Sequence, residues 1–153
     1  EMDYKQTVWG SENEWKAAKE FDPHESGVYY GKINPMFFEL GDYAGCSPDW
    51  ESKDETIGAD FKCPWNSSEH LLNLHIKDVE DLKKYRWPYY CQLQTSINIR
   101  GWENSFFVSY DPRMIEPRLQ LKKIEVPPCD QWQEEFGKRL PAAISELKNL
   151  LEI

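Results

Sequence analysis

Cys46-Ser47-Pro48-Asp49-Trp50, followed by Thr56-Ile57-Gly58-Ala59-Asp60-Phe61-Lys62-Cys63-Pro64-Trp65, is the stretch on which the fold turns. The second half reads as a β-strand, entered from the polar loop Glu51-Ser52-Lys53-Asp54-Glu55 and closed by Pro64. Period-two alternation sends Asp60 and Lys62 to one face and Phe61 into the opposite layer. Asp49 stands at the end of the preceding strand. The three polar side chains therefore meet at one end of a hairpin.

Two carboxylates beside one ammonium suit a definite chemistry. Carboxylate oxygens are the hard ligands that Mg²⁺ or Mn²⁺ prefers, and a metal held there generates hydroxide and neutralises charge building on a phosphoryl group. Lys62 would position the attacking water or stabilise the transition state. The same residues also fit solvated loop acids, since Pro-Asp followed by Asp-x-Lys arises by chance in acidic chains.

Outward from this hairpin, Trp9 to Phe21 (WGSENEWKAAKEF) fits a helix, with Ser11 and Glu14 at the spacing of a capping box. Gly27 to Tyr43 mixes aromatic and β-branched residues (GVYYGKI, then MFFEL) and predicts two or three short strands, with Gly41-Asp42 as a turn. Asn66 to Leu82 reads as a loop rich in His and acids. Asp78 to Arg100 has helical spacing, with Pro88 near the start of its longer half. Ser105–Tyr110 and Leu119–Val126 are strands joined by a turn beginning at Asp111-Pro112-Arg113. Asp130 to Leu151 is an amphipathic helix interrupted or kinked near Pro141. The order helix, strands, helix, strands, helix describes one mixed α/β domain over residues 1–153, without repeat or linker.

Asp and Glu outnumber Lys and Arg by 27 to 18, a formal charge of -9 that argues against a broad phosphate-binding surface. It leaves room for acids that hold metal and for a local basic lining. Seven Trp and eight Tyr exceed what a small core needs, so packing and base stacking are both open to them. Cys46, Cys63, Cys91 and Cys129 form no C-x-x-C pair, and His24, His70 and His75 lack the partners of a tetrahedral site, so no zinc or iron–sulfur centre and reduced thiols are expected. No apolar run approaches the roughly 18 residues of a membrane span, and EMDYKQTVWG is not a signal peptide; a soluble, cytoplasmic protein with no membrane partner is expected.

Five blocks, in order, resemble lambda exonuclease and the YqaJ-like viral recombinase nucleases of the PD-(D/E)XK superfamily. They are Trp9-Gly10 with Glu14 and Ala17, Cys46 to Asp49, Asp60 to Trp65, Gln92-x-Gln94 with Ser96, and Tyr110 to Met114. The resemblance implies a restriction-endonuclease-like core, a central mixed sheet flanked by helices. It implies that Asp49 bridges the metals, that Asp60, the Phe61 carbonyl and Glu14 complete the ligand set, that Lys62 is the catalytic lysine and that Gln92 supports the site. Glu14 has the capping box as its local alternative, Gln92 a plain helix-surface role, and Gln94 is less clearly placed.

By the same resemblance the chain is a Mg²⁺-dependent deoxyribonuclease, with Mn²⁺ also suited, that degrades double-stranded DNA from its 5′ end in phage-type recombination. A single-strand annealing protein is the partner, a homotrimer the assembly and the host cytoplasm the location. Three departures stand against the family pattern. Asp60 replaces a Glu. The chain begins just before the Trp-Gly helix, so the region that binds the 5′-phosphate end is expected to be missing. The loop after Asn66 is less basic. Two further readings follow from these departures: a structure-specific or nicking endonuclease, and an inactive remnant that binds DNA or a recombination partner.

Overall fold

The structure, a computed structural model, describes residues 2–31 and 34–152, with the side chains of residues 2 and 3 left aside. Lys32 and Ile33, the end of the expected GVYYGKI strand, lie outside the described residues.

Helix α1 (Met2–Phe21) leads into β1 (Gly27–Tyr29), then β2 (Phe38–Leu40), β3 (Ala44–Cys46), β4 (Trp50–Ser52) and β5 (Ile57–Lys62). Three helices follow, α2 (Ser67–Leu74), α3 (Val79–Tyr85) and α4 (Trp87–Arg100). The chain returns through β6 (Asn104–Tyr110), a short 3-10 turn (Pro117–Leu119) and β7 (Leu121–Val126) to α5 (Asp130–Leu151). The main sheet has the order β1-β4-β5-β6-β7, while β2 and β3 form a separate hairpin. Strands β5 and β6 run parallel, from Ile57 opposite Asn104 to Lys62 opposite Ser109, and every other pair is antiparallel. This is the expected mixed α/β architecture, a central mixed sheet flanked by helices.

Each face of the sheet has its own core. On one side a four-residue spacing along α1 turns Trp9, Asn13, Ala17 and Phe21 the same way. Ala17 and Ala18 are small enough to let the helix lie close on Ala59, Phe61, Val108 and Tyr110. On the other side Tyr90 and Leu93 of α4, with Leu82 of α3, pack on Phe107, Ile124 and Val126. Alternation along β5 thus sends Ala59 and Phe61 towards α1 and leaves Asp60 and Lys62 to the α4 side.

Helix ends follow local chemistry. Asp78 caps α3 by accepting from the Glu80 and Asp81 backbone N–H groups, both at 3.0 Å. Pro88 occupies the first turn of α4, as its spacing predicts. Gly101 ends α4 at φ +69°, where a residue with a Cβ is strained, and donates its N–H to the Ile97 carbonyl.

Three expectations are corrected. Helix α1 begins at Met2 and not near Trp9, because nothing from Met2 to Val8 breaks a helix; Ser11 is interior, and its Oγ donates back to the Thr7 carbonyl at 3.0 Å. The capping box with Glu14 is therefore absent. The expected loop from Asn66 to Leu82 contains α2 and the start of α3. What anchors α2 is polar: His70 is buried between Ser109 Oγ (2.8 Å) and the Leu119 carbonyl (2.7 Å), and Asn73 donates to Ser109 Oγ (3.0 Å). Helix α5 runs through Pro141 without interruption. The hydrogen bond that Pro141 cannot make falls on the Gly137 carbonyl, at a residue with no side chain and open surroundings.

A buried carboxylate ties the sheet edge to the end of α4. Glu51 on β4 accepts from Arg100 Nε (2.8 Å), Arg100 Nη2 (3.1 Å), Trp102 Nε1 (2.7 Å) and the Tyr30 hydroxyl (3.2 Å). The Trp102 ring so fixed lies directly against Gly58, and a Cβ there would overlap it. Gly58→Ala is expected to lower stability by about 1–3 kcal/mol through overpacking, read as a reduced urea midpoint at unchanged slope.

Candidate active site

Asp49 sits at the start of β4 and not at the end of the preceding strand. Because β4 and β5 are antiparallel, the start of one lies beside the end of the other, and the expected meeting with Asp60 and Lys62 occurs. The Asp49 backbone is pinned on both sides: its N–H donates to the Ala59 carbonyl at 3.3 Å, and its carbonyl accepts from the Tyr30 N–H at 2.7 Å. Its carboxylate Oδ2 accepts from the Phe61 N–H at 2.6 Å.

Asp60 is buried, with 4% of its surface exposed. Its Oδ1 accepts from Gln92 Nε2 at 2.9 Å, and Gln92 Oε1 in turn accepts from Lys62 Nζ at 3.2 Å. Asp60 Oδ2 has no hydrogen bond of regular geometry; its contact is the Lys62 ammonium, an ion pair at 2.5 Å. The Lys62 ammonium also lies 5.0 Å over the Tyr89 ring. Glu14 approaches from α1, its carboxylate accepting from the Tyr29 hydroxyl at 3.4 Å. The structure thus joins Asp49, Asp60, Lys62 and Gln92 at one strand end, with Glu14 within electrostatic reach. The Phe61 side chain, 2% exposed, belongs to the α1-side core, leaving its backbone as the part nearest the acids.

Gln94 goes elsewhere. It is fully buried, donates to the Pro127 carbonyl (2.8 Å) and accepts from the Cys129 N–H (3.1 Å) and Gln133 Nε2 (2.9 Å), anchoring the start of α5. Two glutamines two positions apart on α4 face in different directions, as helical rotation requires. Tyr29 and Tyr89 touch the site residues without having been singled out. Tyr89 lies three positions before Gln92 and shares its helix face, a signal present in the sequence; nothing local marks Tyr29.

Negative charge outweighs positive here. Burial, and then the neighbouring Asp60, pushes the Asp49 carboxyl up to about 8, against the pull of the Phe61 N–H. Burial likewise raises Glu14, opposed by its bond to Tyr29 and by Lys62. For Lys62 burial acts downward, but the adjacent Asp60 and the more distant Asp49 outweigh it and hold the ammonium above its ordinary range. Cys63, next along the chain, is raised by burial and by Glu14. The four cysteines are free thiols.

Among the described residues no three His, Cys, Asp or Glu side chains form a ready-made ion cage. Mg²⁺ needs none, since it commonly takes one or two carboxylates and fills its octahedron with water and substrate phosphate. The donor set fits such an ion: a carboxylate pair in excess of its counter-charge, with Lys62 as the one contact of Asp60 Oδ2. An apolar hollow of about 540 Å³ on the other side of α4, lined by Trp87, Tyr90, Trp132 and Phe136 among others, contains none of the site residues.

Solved structures share the fold of this mixed sheet and its flanking helices. The alkaline exonuclease from Laribacter hongkongensis superposes with a TM-score of 0.76 at 24% identity, over 96% of this chain and 71% of that one. The same exonuclease in complex with dAMP gives 0.74, over 94% and 68%. A phage-related exonuclease from Haemophilus somnus gives 0.75 at 14% identity, over 97% and 73%. At these identities the likeness establishes a common fold. No sequence-family model and no curated protein sequence matches the chain.

Asp49 supplies a sign for the pH dependence. Its folded carboxyl keeps its proton up to about 8 while the unfolded chain releases it near the ordinary carboxylate value. The folded state therefore binds more protons in that window, so this group's contribution to stability falls as pH rises through it and levels off above. Asp49→Asn, which preserves the acceptor for Phe61, is expected to melt higher than wild type at pH about 8 in chelator and to show a shallower decline from pH about 5. Millimolar Mg²⁺ should raise the wild-type melting temperature alone, increasingly so towards pH about 8, because the ligand must lose its proton to bind. Thermal melts across pH, with and without Mg²⁺, check both.

Proposed function

We propose that the chain is a metal-dependent deoxyribonuclease that hydrolyses phosphodiester bonds of double-stranded DNA, acting as a 5′-to-3′ exonuclease in phage-type recombination. The observation that carries this reading is the joined set Asp49, Asp60, Lys62 and Gln92 at the ends of β4 and β5, with more carboxylate than counter-charge. The fold shared with two exonucleases supports it.

Asp49, Asp60, the Phe61 carbonyl and Glu14 would hold Mg²⁺, or Mn²⁺ in its place. When bound, the metal supplies an acidified water and Lewis-acid stabilisation of the phosphoryl oxygens. Lys62 holds an ammonium beside the Asp60 carboxylate, where it orients the attacking water and offsets charge as the phosphorus gains its fifth oxygen. Gln92 bridges the two by donating to Asp60 and accepting from Lys62, which keeps the lysine from turning towards solvent. Tyr29 steadies Glu14, and Tyr89 presents its ring to the Lys62 ammonium. The leaving 3′-oxygen takes its proton from a solvent water.

In this reading residues 1–153 act as one nuclease domain. A single-strand annealing protein takes up the strand left behind, a homotrimer is the working assembly, and the host cytoplasm is where it acts. No helix among the described residues is long and apolar enough to cross a membrane.

Digestion of linear duplex carrying a 5′-phosphate, beside closed circular DNA, tests the reading. Loss of linear duplex alone, with Mg²⁺ and not with Ca²⁺, and a drop of at least about 100-fold in Lys62→Ala is the expected result. Cut circles would point to an endonuclease, and an intact chain that cuts neither form sinks the proposal.

A further inference from the structure

Trp65 carries the chain out of β5, three residues after Lys62. Its indole is 42% exposed, yet its surroundings hold it in place. The ring meets Trp9 edge to face, with centroids 5.8 Å apart and planes at 85°. Arg113 donates to the Trp65 carbonyl at 2.9 Å and to the Pro64 carbonyl at 3.1 Å, and its guanidinium lies 4.1 Å over the Trp9 ring. Fully buried Asp111 fixes that arginine, accepting from its Nε and Nη2, both at 2.8 Å, and from its backbone N–H at 2.9 Å. A large aromatic surface that faces solvent on so rigid a support gains little for the chain's own core and is pre-organised for a partner.

Two chain paths set this ring beside the acids. Lys62 to Trp65 spans at most about 10 Å of extended chain. Trp9, which supports Trp65, precedes Glu14 by five helical residues, a rise of about 7.5 Å. Stacked nucleotides advance about 3.4 Å per step. The Trp65 backbone is therefore no more than about three stacked steps from that of Lys62, whose ammonium pairs with Asp60. Beside the Trp65 ring lies a hollow of about 190 Å³ lined by Tyr4, Lys5, Val8, Trp9, Glu12 and Trp65. Its aromatic and aliphatic walls suit the face of a nucleobase, and Lys5 and Glu12 supply one charge of each sign beside it.

We propose that Trp65, braced by Trp9 and Arg113, is a stacking platform for the base of an unpaired nucleotide a few positions along the strand from the phosphate at the carboxylate pair. The proposal rests on the reading of the chain as a DNA nuclease, and it names what holds the substrate strand next to the reacting bond. Trp65 binds the base and takes no part in bond cleavage.

Fluorescence anisotropy of the whole chain in Ca²⁺, with labelled duplexes whose short unpaired end is either intact or abasic, tests it. Wild type is expected to prefer the intact end by about 5- to 100-fold, the range that stacking of one base supports. Trp65→Ala should lose that preference and Trp65→Phe should keep most of it, while thermal melts confirm that both are folded. Equal preference in wild type and Trp65→Ala, or a wild type that binds both ends alike, overturns the platform while leaving the nuclease reading standing. A wild type that binds neither DNA, and also digests none in Mg²⁺, overturns both.

Discussion

Two strands that run the same way cannot be joined by a turn, and the parallel pairing of β5 with β6 is the constraint from which the rest follows. The chain must leave the end of β5, travel back over the sheet and enter β6 from the other end. Helices α2, α3 and α4 make that journey. Their return path lays α4 over the strand it left, so Tyr89 and Gln92 come down on Lys62 and Asp60. The same pairing, with β4 on the other flank, surrounds β5 with satisfied backbone. A carboxylate at its end can then be held without help from solvent.

That shelter is unevenly compensated. Glu51 and Asp49 stand two positions apart near the edge of the sheet, and both are acids drawn out of water. Glu51 receives a guanidinium, an indole N–H and a phenol, and these outweigh its burial so that it remains a carboxylate below the usual range. Asp49 receives one backbone N–H and the repulsion of Asp60, and it moves the other way. The first arrangement serves the fold. The second leaves an affinity for positive charge, which Lys62 answers in direct contact for Asp60 and only at a distance for Asp49. The overall excess of acids is in part this local imbalance.

Much of this is legible in the chain itself, and for identifiable reasons. Alternation in Asp60-Phe61-Lys62 places the acid and the lysine on one face, because strand geometry admits no other reading once the segment is extended. The Asp49 position follows from hairpin pairing, although the strand it belongs to begins there and does not end. The turn at Gly101 and the first-turn place of Pro88 are backbone chemistry that needs no tertiary context. What escaped is what tertiary contacts decide. Helix α2 is anchored by His70 and Asn73 to a serine on β6, so its buried face is polar and hydrophobic periodicity passes over it. The start of α1 is misplaced because Ser11, which resembles a cap, lies inside a helix that already runs from Met2. The choice of Gln92 over Gln94 comes from the resemblance and not from spacing, because which of two nearby helix positions faces the sheet is a matter of helix rotation.

Gly137 and Pro141 leave one rung out of the hydrogen-bond ladder of α5, in a helix with no residue fully buried. Before that gap Gln133 is bound to Gln94 and Asn98, and Trp132 packs under α4. Beyond it the only described ring contact across to another part of the chain is Lys148 over Tyr43. The missing rung therefore separates an arm anchored to α4 from one that lies along the surface, and the seating of α4 rests on the first arm alone.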